Sequence, residues 1–188
     1  MNPSTEKITE AILATPAKTV YVLPNNKNII MSAQQSVSLV KDRTVIIVPT
    51  KTIAQGASAI LAHNPDLSPQ ENAEVMTEAA SKVKTGQVTF AARDSEFGGF
   101  KIKENDILAL SDGKLLFTEK NPADAAVNLA KRLATKETEF ITLIYGEGVS
   151  GEQAEEVKSR IEKSLKGGAE ITLVDGKQPI YHFIISVE

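Results

Sequence analysis

The feature that most narrows what this chain can fold into is a strand–helix–strand pattern that occurs twice. Thr19-Val20-Tyr21-Val22-Leu23 is a short apolar run ended by Pro24-Asn25-Asn26, which reads as a buried strand and its turn. Ile30, Ala33, Val37 and Val40 then recur at helical spacing, predicting a helix over 28–40, and Thr44 to Val48 forms a second strand ended by Pro49. The pattern returns as a strand from Phe140 to Tyr145, a helix capped by Ser150 with Gln153 completing a capping box, and a strand from Glu170 to Val174. Ala154, Val157, Ile161 and Leu165 form the inward stripe of that second helix. Val20–Pro24 aligns with Ile141–Tyr145, and Val45–Pro49 with Ile171–Asp175, at strand offsets of 25 and 30 residues. Strands joined through a helix must run parallel, with a right-handed crossover. The pattern is that of two related α/β lobes, although any two such units would look alike to this extent.

The rest of the chain fits around these units. A helix is expected over about Ser4 to Leu13, and another over Ile53 to Ala62. A third starts at the cap Ser68-Pro69-Gln70-Glu71 and turns Ala73, Met76, Ala80 and Val83 inward. Gln87 to Asp94 alternates with strand period, as does Phe100 to Lys103 after Gly98-Gly99. Ser111-Asp112-Gly113 between apolar runs marks a hairpin. Asn121-Pro122 opens a helix with Ala126, Leu129, Ala130 and Leu133 inward, and Ile180 to Val187 is a last strand. The expected fold class is therefore α/β: two related lobes of β-α-β units with parallel strands, plus a small antiparallel meander. The first lobe, with the meander, is expected over residues 1–120, and the smaller second lobe over 121–188.

Composition removes several function classes. The net charge is −3, with no dense Lys/Arg block and only 5% aromatic residues, so neither a phosphate-tracking stripe nor a base-stacking platform is expected and no nucleic acid partner is assigned. Without cysteine there is no disulfide, thiolate nucleophile or cysteine zinc site. No apolar run reaches the ~20 residues that span a bilayer, and Met1 to Lys7 lacks a signal-peptide hydrophobic region. The expected location is the cytoplasm.

In open α/β sheets ligands gather beyond the carboxyl ends of the strands. That rule selects Pro24-Asn25-Asn26-Lys27-Asn28, Pro49-Thr50-Lys51-Thr52, Gly146-Glu147-Gly148 and Gly176-Lys177-Gln178-Pro179. The first two carry amides, hydroxyls and ammonium groups that can hold an anion or a partner's backbone, though asparagines also serve simple turns. Gly146 to Gly151 matches GxGxxG between a strand and a helix. Glu147, Glu152, Glu155 and Glu156 crowd that helix start, where they suit the dipole but repel a pyrophosphate, so the motif reads as a decoy. Gly148 is expected to occupy a backbone conformation that alanine adopts only at a cost of ~1 kcal/mol or more. His63 and His182 have neither cysteine nor a third histidine to complete a metal site. Arg93-Asp94 reads equally as an exposed ion pair or an anion-binding pair.

Several segments carry a resemblance. Val22-Leu23-Pro24-Asn25-Asn26-Lys27-Asn28-Ile29, Val48 to Gly56 (with Ala54 where proline is usual), Val83 to Thr89 with Ala92-Arg93-Asp94, and Gly176 to Tyr181 resemble, in order, the C-terminal part of the fatty acid kinase large subunits (FakA), relatives of dihydroxyacetone kinase. His182 stands where proline is common, and Met1 to Thr5 resembles a family segment cut at its methionine. The resemblance implies a fragment of a longer protein. ATP and magnesium belong to its missing N-terminal domain, and the chain has no cofactor of its own. The partners it implies are those remaining kinase domains and a separate fatty-acid-binding protein of the DegV type, whose acyl carboxylate becomes an acyl phosphate for phospholipid synthesis. A homodimer is compatible with it. The residues expected to meet a partner or an anion are Asn25, Asn26, Lys27, Asn28, Thr50, Lys51, Thr52, Gln55, Arg93 and Asp94, with none catalytic. The alternative is a small-molecule or lipid-binding module. The substrate-binding component of dihydroxyacetone kinase holds its substrate through a histidine, and neither histidine here lies in a promising loop.

Overall fold

The computed structural model describes residues 2–97, 99–165 and 168–188, without the side chains of Phe97 and Phe100. Gly98, one of the two glycines before the strand expected from Phe100, and Met1 lie outside the described residues. The chain divides into two compact units, Met1–Val83 and Lys84–Glu188.

In the first unit Ser4 caps helix α1 (Thr5–Ala14), and one turn separates its inward Ile8 and Ile12. Strand β1 (Thr19–Val22), helix α2 (Ile30–Val37) and strand β2 (Thr44–Ile47) form the first predicted unit, with β1 and β2 parallel and Val20 opposite Val45. Ile8, Ile12, Val20, Ala33 and Val40 make its core. Helices α3 (Ile53–Leu61) and α4 (Pro69–Lys82) follow, and Val48, Ala59, Met76 and Ala80 pack as a second cluster. The Ser68 capping box is formed, the Glu71 carboxylate accepting from the Ser68 N–H at 2.9 Å. Of the expected inward face Met76, Ala80 and Val83 are buried, while Ala73 is half-buried and Asn72 beside it is buried instead. Hydrogen bonds offset the burial of Asn72. Its Oδ1 accepts from the Asn64 N–H at 2.8 Å, and its Nδ2 donates to the carbonyls of Asn64 at 2.8 Å and Leu67 at 3.1 Å.

The second unit is built on one six-stranded sheet. In chain order its elements are β3 (Lys84–Phe90), the short pair β4 (Ser95–Phe97) and β5 (Phe100–Ile102), β6 (Ile107–Ser111), β7 (Lys114–Glu119), α5 (Pro122–Leu133), β8 (Phe140–Tyr145), α6 (Gly151–Ser164), β9 (Glu170–Asp175) and β10 (Tyr181–Val187). The sheet order is β7-β6-β3-β10-β8-β9, with β8 and β9 parallel and the remaining neighbours antiparallel. Helices α5 and α6 pack on it through a core that includes Val88, Leu129, Leu143, Val157, Ile161 and Ile185. The β6–β7 hairpin turns at Asp112 (φ 51°) and Gly113 (φ 73°), both positive as a tight two-residue turn requires.

Two expectations change here. The boundary expected after residue 120 falls inside the second unit, because β3 pairs with β10 as well as β6 and so binds the meander to the second β-α-β unit. The strand expected over Gln87–Asp94 runs instead from Lys84 to Phe90, with Val88 and Thr89 both buried and no simple alternation. Gly86 lies within β3. A side chain there would meet Leu129 and Leu133 of α5 at 2.8 Å, so its bareness admits the helix.

Replacing Asn72 with alanine strands the N–H and carbonyl groups of the 64–68 loop. The expected loss is about 2 kcal/mol of stability, read from the urea unfolding midpoint. An unchanged midpoint would mean the bonds contribute nothing.

Candidate functional site

Because β1 and β2 are parallel, the loops that follow them leave the same end of the sheet, and the Val48 N–H extends the pairing to the Val22 carbonyl at 3.0 Å. The loops are then locked together. Thr50, 1% exposed, donates its hydroxyl to the Asn25 Oδ1 at 2.8 Å and accepts from the Asn25 N–H at 3.1 Å. Asn25 has φ 55°, a left-handed angle that asparagine tolerates better than most residues. Its side chain lies where a Cβ on Gly56 would be, so the first turn of α3 accepts no larger residue there without displacing Asn25.

The remaining loop residues divide by role. The Asn26 Oδ1 accepts from the Asn28 N–H at 2.9 Å, closing an Asx turn. Thr52 caps α3 by accepting from the Gln55 N–H at 3.2 Å, while the Gln55 side chain accepts from the Lys51 N–H at 2.8 Å. Lys27, Asn28 and Lys51 are exposed. Asn25, Asn26, Thr50, Thr52 and Gln55 therefore shape the loops, and the two lysines and Asn28 face outward.

Arg93 and Asp94 belong to the second unit and follow β3. Arg93 is exposed, and the Asp94 carboxylate accepts from the Glu104 N–H at 2.7 Å, which ties down the loop before β6. Among the described residues no ion pair joins Arg93 to Asp94.

The glycine-rich loop is occupied by its own backbone. The Gly146 N–H donates to the His182 carbonyl at 3.0 Å, Glu147 to Gln178 at 3.2 Å, and Val149 to Gly146 at 3.0 Å. Ser150 and Gln153 exchange the bonds of their capping box. The N–H groups of Gly146, Glu147, Val149, Ser150 and Gln153 are thus engaged within the chain, and among the described residues no group of three or more His, Asp or Glu side chains could hold a metal ion. The expectation for Gly148 is corrected. Its backbone is not left-handed, and a Cβ would find only the His182 Nδ1 at 3.8 Å. The demanding position is Gly146, where a Cβ would collide with the Tyr181 carbonyl and lie 2.6 Å from that of Gln178.

His63 stands edge-on to Tyr21 at 5.4 Å between ring centroids. His182 lies 6.1 Å from the Phe90 ring, and partial burial holds its pKa below the usual imidazole value. The first unit also has a cavity of about 380 Å³, lined by apolar residues such as Ile8, Ile12, Val22, Leu23 and Ile29, with Lys7 the charged group among its walls. Neither this cavity nor the dependence of Gly56 on Asn25 has a local sequence signature. Sequence reasoning also passed over the outer face of α3, which a nine-residue run without a charged side chain could have flagged.

A sequence model of the protein family described as FakA-like, C-terminal, in which FakA denotes a fatty acid kinase component, matches residues 1–188. Protein YloV of Bacillus subtilis is 41% identical over 188 residues, which are all of this chain and 34% of YloV. An uncharacterised protein of Staphylococcus epidermidis is 35% identical with the same coverage. The chain thus spans about a third of the length of these curated relatives. Among solved structures, the DegV family protein Cg2579 of Corynebacterium glutamicum superimposes with a TM-score of 0.70 at 15% identity, covering 99% of this chain and 81% of that one. The Streptococcus pneumoniae Fatty Acid Kinase (Fak) B3 protein loaded with linoleic acid gives 0.69 at 14% identity, covering 99% and 76%. At such identities the likeness is one of fold. Among the described residues no helix is long and apolar enough to cross a membrane.

Two glycine substitutions test the loop geometry. Gly146→Ala overpacks the 178–181 segment and should lower stability by about 1–3 kcal/mol. Gly148→Ala should stay within about 0.5 kcal/mol of the unmodified chain in the same denaturation assay. Equal effects at the two positions would contradict the packing described.

Proposed function

The chain belongs to the FakA-like, C-terminal family of fatty acid kinase proteins, and on that footing we propose that it is the domain with which such a kinase docks a fatty-acid-carrying protein of the DegV type. The acyl carboxylate of the docked protein is then phosphorylated elsewhere in the longer protein, whose remaining domains supply ATP and magnesium. The observation that carries this reading is the Asn25–Thr50 lock. It holds two polar loops side by side at one end of a parallel sheet, with Lys27 and Lys51 turned outward. Part-buried bonds that tie together two loops bearing exposed cations suit recognition of carboxylates better than a passive turn. The role of the chain in this scheme is to bind and orient, and it supplies no group to the reacting atoms.

A second reading, a lipid-binding module, is favoured by the apolar cavity of the first unit, which at about 380 Å³ falls within the range of small-molecule sites.

Changing Lys27 and Lys51 together to alanine should leave the melting temperature nearly unchanged, since both side chains are exposed. In the full-length kinase it should weaken partner binding or acyl-phosphate formation at least tenfold, about 1.4 kcal/mol. Wild-type binding and turnover in this variant would reduce the loops to turns. Titration of the unmodified protein with a fluorescent fatty acid separates the two readings: saturable binding without the partner supports the lipid module and counts against docking alone.

A further inference from the structure

Strand β1 stands at the edge of its sheet but is built like an interior strand. Val20, Tyr21, Val22 and Leu23 are apolar on both faces, as in strands that a parallel sheet encloses, and no lysine or proline interrupts β1. The edge strand β9 of the other unit shows the contrast, with Glu170, Thr172 and Asp175 exposed. Pairing with β2 uses only half of the backbone groups of β1. The Lys18 carbonyl accepts from the Thr44 N–H at 2.9 Å and the Val22 carbonyl from the Val48 N–H at 3.0 Å, so every second residue, Val20 included, faces β2. Thr19, Tyr21 and Leu23 direct their N–H and carbonyl groups the other way. The cavity of the first unit lies on that side: Val20 to Pro24 line it in unbroken succession, and no residue of β2 does.

Helix α1 already has the place of a crossover helix. Its Ile8 and Ile12 share a core with Val20, while Lys7, Ala11 and Thr15, at i, i+4 and i+8, are exposed along the cavity wall. It starts near the carboxyl end of β1, where the Asn26 Nδ2 donates to the Asn2 Oδ1 at 3.5 Å. It ends near the start of the strands, where Arg43, the residue before β2, donates to the Ile12 carbonyl at 3.1 Å. A helix that runs back along a parallel sheet in this way joins two parallel strands, as α2 does between β1 and β2. The longer relatives have chain enough to supply the other strand. This chain spans about a third of YloV, and it leaves about a fifth of Cg2579 and about a quarter of the linoleic acid-loaded Fak B3 protein without a counterpart. A fatty acid tail fits the cavity less well, because it offers no donor or acceptor to a row of backbone groups.

We propose that in the longer protein a strand from the part preceding residue 1 pairs in parallel with the free edge of β1 and fills the cavity beside α1. The loop after that strand then leaves by the same end of the sheet as Asn25–Asn28 and Thr50–Thr52, so the candidate site is completed by a third loop that this chain does not contain. The inference stands apart from partner docking, and for the longer protein it sets aside the lipid reading of this cavity.

Hydrogen exchange of the full-length kinase, delipidated and read at single amides, tests the pairing. The amides of Tyr21 and Leu23 should exchange within about tenfold of those of Val20 and Val22, which β2 already protects. Faster exchange at Tyr21 and Leu23 would overturn the proposal, as would slow exchange that requires added fatty acid. A photoreactive variant of the same protein, Lys7→p-benzoylphenylalanine, identifies the occupant, since Lys7 is an exposed residue of the cavity wall. With the melting temperature unchanged, illumination should link position 7 to a peptide preceding residue 1 of the same molecule. No link, or one to residues 1–188, to a second molecule or to a co-purified lipid, counts against the added strand. Neither measurement includes the DegV-type protein, so the docking reading stands or falls separately.

Discussion

Parallel pairing is the constraint on which both β-α-β units and the candidate site rest. Two parallel strands cannot be joined by a tight turn, so β1 and β2 need α2 between them, and β8 and β9 need α6. The same geometry sends the loops after β1 and β2 out of one end of the sheet, where a single hydroxyl–amide exchange between Thr50 and Asn25 can tie them. The candidate site thus follows from strand direction first and from side-chain chemistry second. The chemistry decides what the loops offer, and the crossover decides that they offer it together.

Much of this was legible because it is local. The capping boxes at Ser68 and Ser150, the strand Phe140–Tyr145 and the Asp112-Gly113 turn are written in residues a few positions apart, and each formed where expected. What escaped is what depends on distant neighbours. Gly86 looks like a strand breaker until Leu129 and Leu133 of α5 arrive against it. Gly148 looks special from its motif, but Gly146 bears the contact, through carbonyls far along the chain at Gln178 and Tyr181. Asn72 sits in the inward stripe of α4, a place that periodicity assigns to apolar residues, because a loop needs its amide.

The candidate site was legible to a similar degree. Its loops follow from the rule for α/β sheets and from family resemblance, whereas the split between inward and outward residues depends on tertiary packing. Asn25 and Asn26 look alike in sequence, yet one braces Thr50 and the other closes an Asx turn. Asp94, grouped with Arg93 by adjacency, is occupied with the Glu104 N–H. Adjacency in sequence is a poor guide to partnership when the backbone bends between neighbours.

The position of β10 has a consequence for the order of events during synthesis. It lies between β3 and β8 and pairs with both, and Phe183 to Val187 are all buried. A ribosome makes this central strand after every other strand of the sheet. Until it emerges, β3 and β8 each present an unpaired edge and no continuous sheet exists for α5 and α6 to cover. Such edges are where nascent chains meet one another, so the interval before β10 leaves the exit tunnel is when the second unit most needs chaperone cover. The first unit is complete at Val83, requires nothing from β10 for its own strand pairing, and can close while the rest is still being translated.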